Sequence, residues 1–486
     1  MRADLGCYQG ADFPSRDDPQ IHSPNIDALA RKSLLLKKAY VQQAICSPSR
    51  TSFLTSRRPD TTHVYDLQTY FRTATANFTT IPQYFKNHGR ITAGMGKIFH
   101  PVHDSHEDYP FSWTEPYVQP RPSSYEASKI SYMYVNDSQL ADDPLMDYKI
   151  AQAAVSALQN FATGGKYADR PFFLAVGFAR PHLPFVSPEA FTKFYPDISI
   201  ILPRNPYAPT NMPDPAWWKS LELITGYTDI AALNFHGLVN ETLPPSIARE
   251  LRRAYFSAIS WVDSLVGVVL NELERLGLSN DTVVSLLGDH GYHLGEHGIW
   301  TKHTNFEVAT HAPMMVRIPG LTDNGIITDR LVEFVDLFPT LVDAVGLPPV
   351  PVCPENSQNV LSCTEGVSFM PLFHNATMTW KPSVFSQYPR AMQHVPIMGY
   401  SLRSDRYRYT EWVAFSYRTH KPDWTRNYGT ELYDHQTDPD ENYNMASDQA
   451  FADLARSLST RLHAGWRQAS PSTQASPSIN NPSIIG

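Results

Sequence analysis

Apolar positions along this 486-residue chain follow two rhythms. Between Pro245 and Gly277, residues Ile247, Leu251, Tyr255, Ile259, Val262, Val266, Val269 and Leu273 recur every three or four positions. That spacing predicts one long amphipathic helix, ended by Gly277. "HSPNIDALARKSLL" reads as another helix, with Ser23 as N-cap and Pro24 at the first helical position. "TIPQYFKNHG" reads as a third, stopped by Gly89, and "VEFVDLFPTLVDAVGL" as a fourth. Elsewhere the apolar residues run unbroken. "PFFLAVGF" (171–178) predicts a buried strand, and "TVVSLLGDHG" and "PMMVRIPG" predict two more. Strands and helices alternating on this scale predict an α/β core, a large mostly parallel sheet flanked by helices. Ligands of such sheets gather beyond the carboxyl ends of strands, where Asp289 and His290 stand.

Past residue 375 the rhythm changes. "IMGYSLRSDRYRYTEWVAF" alternates aromatic and polar residues, "ELYDHQTDPDENYN" turns, and "FADLARSLSTRLHAGW" is helical. The division this predicts is a catalytic domain over 1–375 and a smaller α+β subdomain with an antiparallel sheet over 376–468. Residues 469–486, rich in Ser, Pro, Asn and Gln, predict a disordered tail.

Composition narrows the function classes. Hydrophobic content of 42% and aromatic content of 12% describe an ordinary soluble globular protein. A net charge of −8 without a Lys/Arg cluster argues against nucleic acid as a partner. No run approaches the ~20 apolar residues of a membrane span. "MRADLGCYQG" lacks the apolar core of a secretory leader, so the expectation is a cytosolic protein or one whose true amino terminus lies upstream. Four cysteines are too few for a disulfide scaffold. Cys353 and Cys363 share a Pro/Asn/Ser/Gly loop, which suits either a local disulfide or two reduced thiols. Asn77, Asn136, Asn240, Asn280 and Asn375 each open an Asn-x-Ser/Thr triplet, which favours a secreted or endosomal protein.

Four clusters carry candidate chemistry: Cys46-Ser47-Pro48-Ser49-Arg50, "GMGKIFHP" with Lys97 and His100, "ARPHLPF" with His182, and "GDHGYHLGEHGIWTKH" with Asp289, His290 and Lys302. Singly, each has a bland reading: a buried small hydrophobe, a solvated cation, a loop histidine, a turn cap. A thiol protease with Cys46 as nucleophile also fits the residue types. Together, cations and candidate metal ligands all stand at strand or helix ends, which an open α/β sheet brings to one side.

"CSPSR" resembles the Cys-x-Pro-x-Arg core of the type I sulfatases, and the other three clusters follow in that family's order. "PFFLAVGFARPHLPF", "GDHGYHLGEHGIWTKHTNFEVATHAP" and "IMGYSLRSDRYRYTEWV" extend the likeness toward the branch acting on 2-O-sulfated iduronate. The resemblance implies an alkaline-phosphatase-like fold and sulfate-ester hydrolysis. Cys46 would be oxidised to formylglycine by the formylglycine-generating enzyme. Its hydrate offers one hydroxyl to attack sulfur and a second whose deprotonation expels sulfate, which serine could not do. One calcium ion would be held by the modified Cys46, Asp289 and His290. Arg50 would hold the diol and metal-side oxygens, and Lys97 and Lys302 would clamp sulfate oxygens. His100 would take the diol proton; His182 would bind sulfate or protonate the leaving oxygen. The implied substrate is the 2-O-sulfate of terminal L-iduronate in heparan and dermatan sulfate, in the lysosome or after secretion. "DLQTYFR" and "SQYPR" (386–390) are candidate readers of the uronate carboxylate, and Cys353–Cys363 matches a loop disulfide.

Two departures qualify the likeness. The family begins with a strand ending in two metal-binding aspartates, placed just before the stretch resembling "MRADLGCY". The expectation is therefore a truncated gene model without that first strand and those ligands, and weakened calcium binding. Ser56 stands where the family has Gly, and a positive φ there would strain it. Two further readings stay open: a catalytically silent binder of sulfated glycans, and a sulfatase for another sugar position or for aryl sulfates.

Overall fold

The protein is described here by a computed structural model covering residues 1–9, 21–101, 105–168 and 170–471. The elements that frame the site are, in chain order, strands β1 (Leu34–Tyr40), β2 (Ile91–Gly96), β3 (Phe172–Gly177), β4 (Val284–Leu287), β5 (Met314–Arg317) and β6 (Ile326–Glu333). A second sheet contains β7 (Val384–Met392), β8 (Val395–Arg403), β9 (Tyr407–Ser416) and β10 (Lys421–Asp434). The helices are α1 (Pro24–Ala30), α2 (Cys46–Thr55), α3 (Ile81–Asn87), α4 (Met146–Phe161), α5 (Leu221–Gly226), α6 (Pro245–Arg275), α7 (Leu337–Ala344) and α8 (Ala452–Ala464).

The core sheet runs β6-β1-β5-β4. β1 and β6 are parallel, with Leu34 opposite Ile326 and Tyr40 opposite Glu333; β5 runs antiparallel to β1 and to β4. β2 and β3 form a separate parallel pair. Residues of β3 and β4 line a common apolar cavity of about 920 Å³, with Val262 and Val266 of α6 on its wall. The predicted buried strand 171–178 is half-buried over Phe172–Val176: its side chains pack against the core, Phe172 stacking on Phe161, and also line the cavity.

Two helix readings were too long. The first ends at Ala30, and "LLLKKAY" becomes the central strand β1, with Leu34, Leu36 and Tyr40 fully buried. Ser23 occupies the N-cap position without capping through its side chain, because its hydroxyl accepts from the Gly6 amide instead. Val332 and Glu333 finish β6 before the chain turns into α7, since Glu333 is pinned there by Arg58 and Lys381. The remaining elements match. Thr80 caps α3 through the Gln83 amide, and Gly89 follows it at φ 81°. Helix α6 spans 31 residues. It is the one described helix long and apolar enough to cross a membrane, and 72% of its most apolar window is buried in the protein.

The second sheet is antiparallel throughout, in the order β7-β8-β9-β10, and α8 packs on β8 and β9. Cys353 and Cys363 form a disulfide. Of the predicted disordered tail, Ala469 is buried at the end of a short helical turn, and residues 472–486 lie outside the described residues.

Candidate active site

Helix α2 begins at Cys46, so the thiol sits where the first amides of the helix point outward and favour negative charge. Lys97 Nζ and His290 Nε2 each lie 3.4 Å from Cys46 Sγ. Burial pushes the thiol's pKa up, but the cations Lys97 and Lys302, aided by His290, outweigh it and hold it well below the ordinary thiol value. Cys46 is thus an anion site inside a cationic pocket.

Asp289 and His290 follow β4 after Gly288, where the end of its apolar run predicts them. Ligand atoms of Cys46, Asp289 and His290 all lie within 4.8 Å of one another. Three donors this close, one of them anionic oxygen, fit a single divalent cation. His290 Nδ1 sits 2.7 Å from the Gly291 carbonyl, which fixes Nδ1 as the protonated nitrogen and leaves Nε2 free to ligate. Burial raises the pKa of Asp289, yet Arg50, His290 and Lys97 hold it well below the usual carboxylate range.

Arg50 Nε donates to Asp289 Oδ2 at 2.9 Å, and its Nη1 donates to the carbonyls of Lys97 and Ile98. One guanidinium therefore ties α2 to the loop after β2 and to the turn after β4. Its Nε and Nη1 face protein oxygens, so these donors brace the frame around Cys46. His100 stands half-buried three residues beyond Lys97 on the same loop, its carbonyl accepting from Ser105 Oγ. The contacts that reach Cys46 Sγ come from Lys97 and His290.

The fourth side of the pocket holds Lys302 and His182, whose Nζ and Nε2 are 3.2 Å apart. Between them lies a residue that sequence reasoning missed. Glu222, on the short helix α5, reaches Lys302 at 2.6 Å, His182 at 3.2 Å and His303 at 3.1 Å. "SLELITGY" carries no motif, so nothing local marked it. The candidate carboxylate readers divide. Arg72 of "DLQTYFR" is already paired with buried Asp108 through both Nε and Nη2. In "SQYPR", Tyr388 OH lies 2.5 Å from His303 Nδ1, and Arg390 donates to the His303 carbonyl. Arg390 stacks over Tyr388, Trp218 and Trp412.

The family model for sulfatases matches residues 7–347, and one for the C-terminal part of N-sulphoglucosamine sulphohydrolase matches 295–468. The chain belongs to the sulfatase family. This sulfatase is a sulfuric ester hydrolase, and it is 36% identical to the iduronate 2-sulfatase of Mus musculus over 94% of its own length and 91% of the relative's. Among solved structures, a phosphonate monoester hydrolase from Silicibacter pomeroyi superposes with a TM-score of 0.70 at 20% identity, covering 96% of this chain and 94% of that one. A 2-O GAG sulfatase superposes at 0.64 and 20% identity, covering 95% and 91%. These likenesses place the sulfatase in the alkaline-phosphatase-like fold.

Proposed function

We propose that this sulfatase removes the 2-O-sulfate of terminal L-iduronate in heparan and dermatan sulfate, using formylglycine made from Cys46 and one calcium ion. The observation that carries the reading is the convergence of Lys97, His290 and the Lys302–His182 pair around Cys46 at a helix start. The likeness to iduronate 2-sulfatase over nearly the whole chain supports the substrate class. Asp289, His290 and the modified Cys46 would hold the cation. Formylglycine supplies a hydrated aldehyde as nucleophile, and the bound cation supplies positive charge for the sulfate oxygens.

The chain's own residues do the remaining work. A sulfate ester brings negative charge that must be met by fixed cations before the S–O bond stretches. Lys97 reaches the nucleophile's position directly, and Lys302, whose charge also acts on Cys46, would meet the sulfate oxygens. His182 Nδ1 sits 2.6 Å from the Leu183 carbonyl, which fixes the proton there and turns Nε2 toward the pocket. Nε2 is therefore the atom that can carry a proton to the leaving sugar oxygen. His100 would accept the nucleophile's proton from the loop beside Lys97.

All five glycosylation-type asparagines are exposed, which supports a route through the secretory pathway to the lysosome or the exterior, where the formylglycine-generating enzyme is met on the way. The test is direct. Protein from a secretory host is incubated at pH 5 with a disaccharide bearing 2-O-sulfated iduronate, while mass spectrometry reads the Cys46 peptide. Sulfate release by the formylglycine form, lost on chelation and in Cys46→Ser, is the expected result; intact substrate with formylglycine present overturns the substrate assignment. One observation favours a second reading. Asp289 is the single carboxylate in the three-donor set, and calcium ordinarily takes six or more oxygens. Glycan binding without turnover would establish a silent binder.

A further inference from the structure

Lys302 is buried to the point that only 2% of its side chain meets solvent, and the backbone that presents it is unusual. Thr301 and His303, on either side, both have positive φ, 78° and 80°. Neither is glycine, so each pays a local conformational cost that the surroundings must offset. What offsets it is visible. The His303 amide donates to the Ala44 carbonyl, and its ring lies between Tyr388 OH and Glu222. Glu222 touches Lys302 with both carboxylate oxygens, at 2.8 and 2.6 Å, and the same oxygens reach His182 and His303. One carboxylate thus ties together three cationic or protonatable side chains from two segments, His182 on one and the adjacent Lys302 and His303 on the other.

We propose that Glu222 is the positioning residue of the sulfate clamp, holding Lys302 charged and aimed at Cys46 and keeping His182 Nε2 turned into the pocket. The proposal rests on Lys302 and His182 facing the sulfate group. A buried ammonium without a counter-charge loses its proton, because the interior solvates the charged form poorly. Burial pushes Lys302 down, and the anions facing it, Glu222 first and then Cys46 and Asp289, together outweigh it and leave the lysine above its ordinary value. The same pairing holds Glu222 well below the carboxylate range against its own burial. Lys302 also faces the Tyr292 ring and the charges of Cys46 and Asp289. Glu222 is faced by Lys302, His182 and His303, with Tyr227, Tyr292 and Tyr388 nearby. Among these neighbours Glu222 alone gives Lys302 a bonded anion.

Glu222→Gln keeps the shape and removes the charge; Glu222→Asp keeps the charge. Binding of inorganic sulfate and turnover of an aryl sulfate are followed from pH 5 to 9, with thermal melting as the check on folding. In wild type and Glu222→Asp, sulfate binding should persist toward alkaline pH. In Glu222→Gln it should be lost roughly three to five pH units earlier, inside the tested range, with turnover down roughly tenfold at pH 7 and far less at pH 5. A residue that merely braced the fold would scale both curves without moving their midpoints. Unshifted midpoints overturn the proposal. So does faster turnover in Glu222→Gln at every pH, which would make Glu222 an internal anion occluding the clamp. Wild-type protein that binds sulfate with the Glu222-dependent midpoint yet hydrolyses no ester refutes the catalytic reading alone. Wild-type protein that binds no sulfate refutes the clamp and the proposal with it.

Discussion

Ser56 shows how one residue carries both a cost and its remedy. It closes α2 in the left-handed region at φ 54°, the conformation that makes glycine the easy choice there. The sequence alone predicts strain. The structure adds that Ser56 Oγ donates to the Val335 carbonyl at 2.5 Å and shares a hydrogen bond with Thr364 Oγ1 at 2.7 Å. A left-handed non-glycine residue costs about 1 kcal/mol, and buried partners left unsatisfied cost about 1–3 kcal/mol. Ser56→Ala keeps the strain and loses both bonds, so it should lower stability by about 2 kcal/mol. Ser56→Gly relieves the strain and should lose about half as much. Chemical denaturation of the two variants decides the matter, and a glycine variant more stable than wild type would show that strain dominates.

At the scale of elements, the helix and strand readings went wrong where local pattern is ambiguous. "SLLLKKAY" continues the apolar rhythm of α1, and only the pairing of β1 between β5 and β6 decides that it is a strand. In the second sheet, β10 places Glu431 fully in the interior, where it accepts from Trp412 Nε1 and Tyr433 OH. Burial outweighs those two donors and raises its pKa from 4.5 to about 7. The folded protein therefore binds this proton more tightly than the unfolded chain. The penalty of an ionised Glu431 is fully present above about pH 7 and disappears as pH falls toward 4.5. Glu431→Gln should accordingly raise stability by about 2 kcal/mol at pH 8 and change it little at pH 5. Melting curves at the two pH values test this; an equal shift at both would show that Glu431 does not titrate as described. The Cys353–Cys363 loop is a second element-scale device. Arg57 donates to the carbonyls of Ser357 and Val360, and Arg467 to those of Cys353 and Pro354. Replacing both cysteines by serine should cost about 2–3 kcal/mol through the freed unfolded chain. The site around Cys46 should keep its activity, read as kcat/KM on an aryl sulfate.

For the whole molecule, the joint between the two sheets is ionic. Glu307 bonds Tyr40 OH of β1 at 2.7 Å and Arg403 Nε of β8 at 3.0 Å, and pairs with Arg408 of β9. Glu441 meets Arg408 Nε at 2.6 Å and His435 at 2.9 Å. Glu307, His435 and Glu441 have ligand atoms close enough together to suggest a metal, but Arg403 and Arg408 already balance the two carboxylates. Glu307→Gln leaves two buried guanidiniums undercompensated and should cost about 3–5 kcal/mol, loosening the second sheet first. Hydrogen exchange that rises in β8 and β9 before the core sheet would confirm the order; uniform loss would not.

The chemistry of this protein is legible in its sequence because sulfate hydrolysis demands particular residue types next to one another. Cys46 and Arg50 lie within one helical turn, Asp289 and His290 are adjacent, and each motif survives as a short string. Glu222 is legible only in three dimensions. It acts on residues 40, 80 and 81 positions away along the chain, and a lone carboxylate on a six-residue helix has no periodicity or motif to announce it. Tertiary packing likewise decided that Leu34–Tyr40 would be the sheet's centre, because strand identity depends on which neighbours supply the hydrogen bonds.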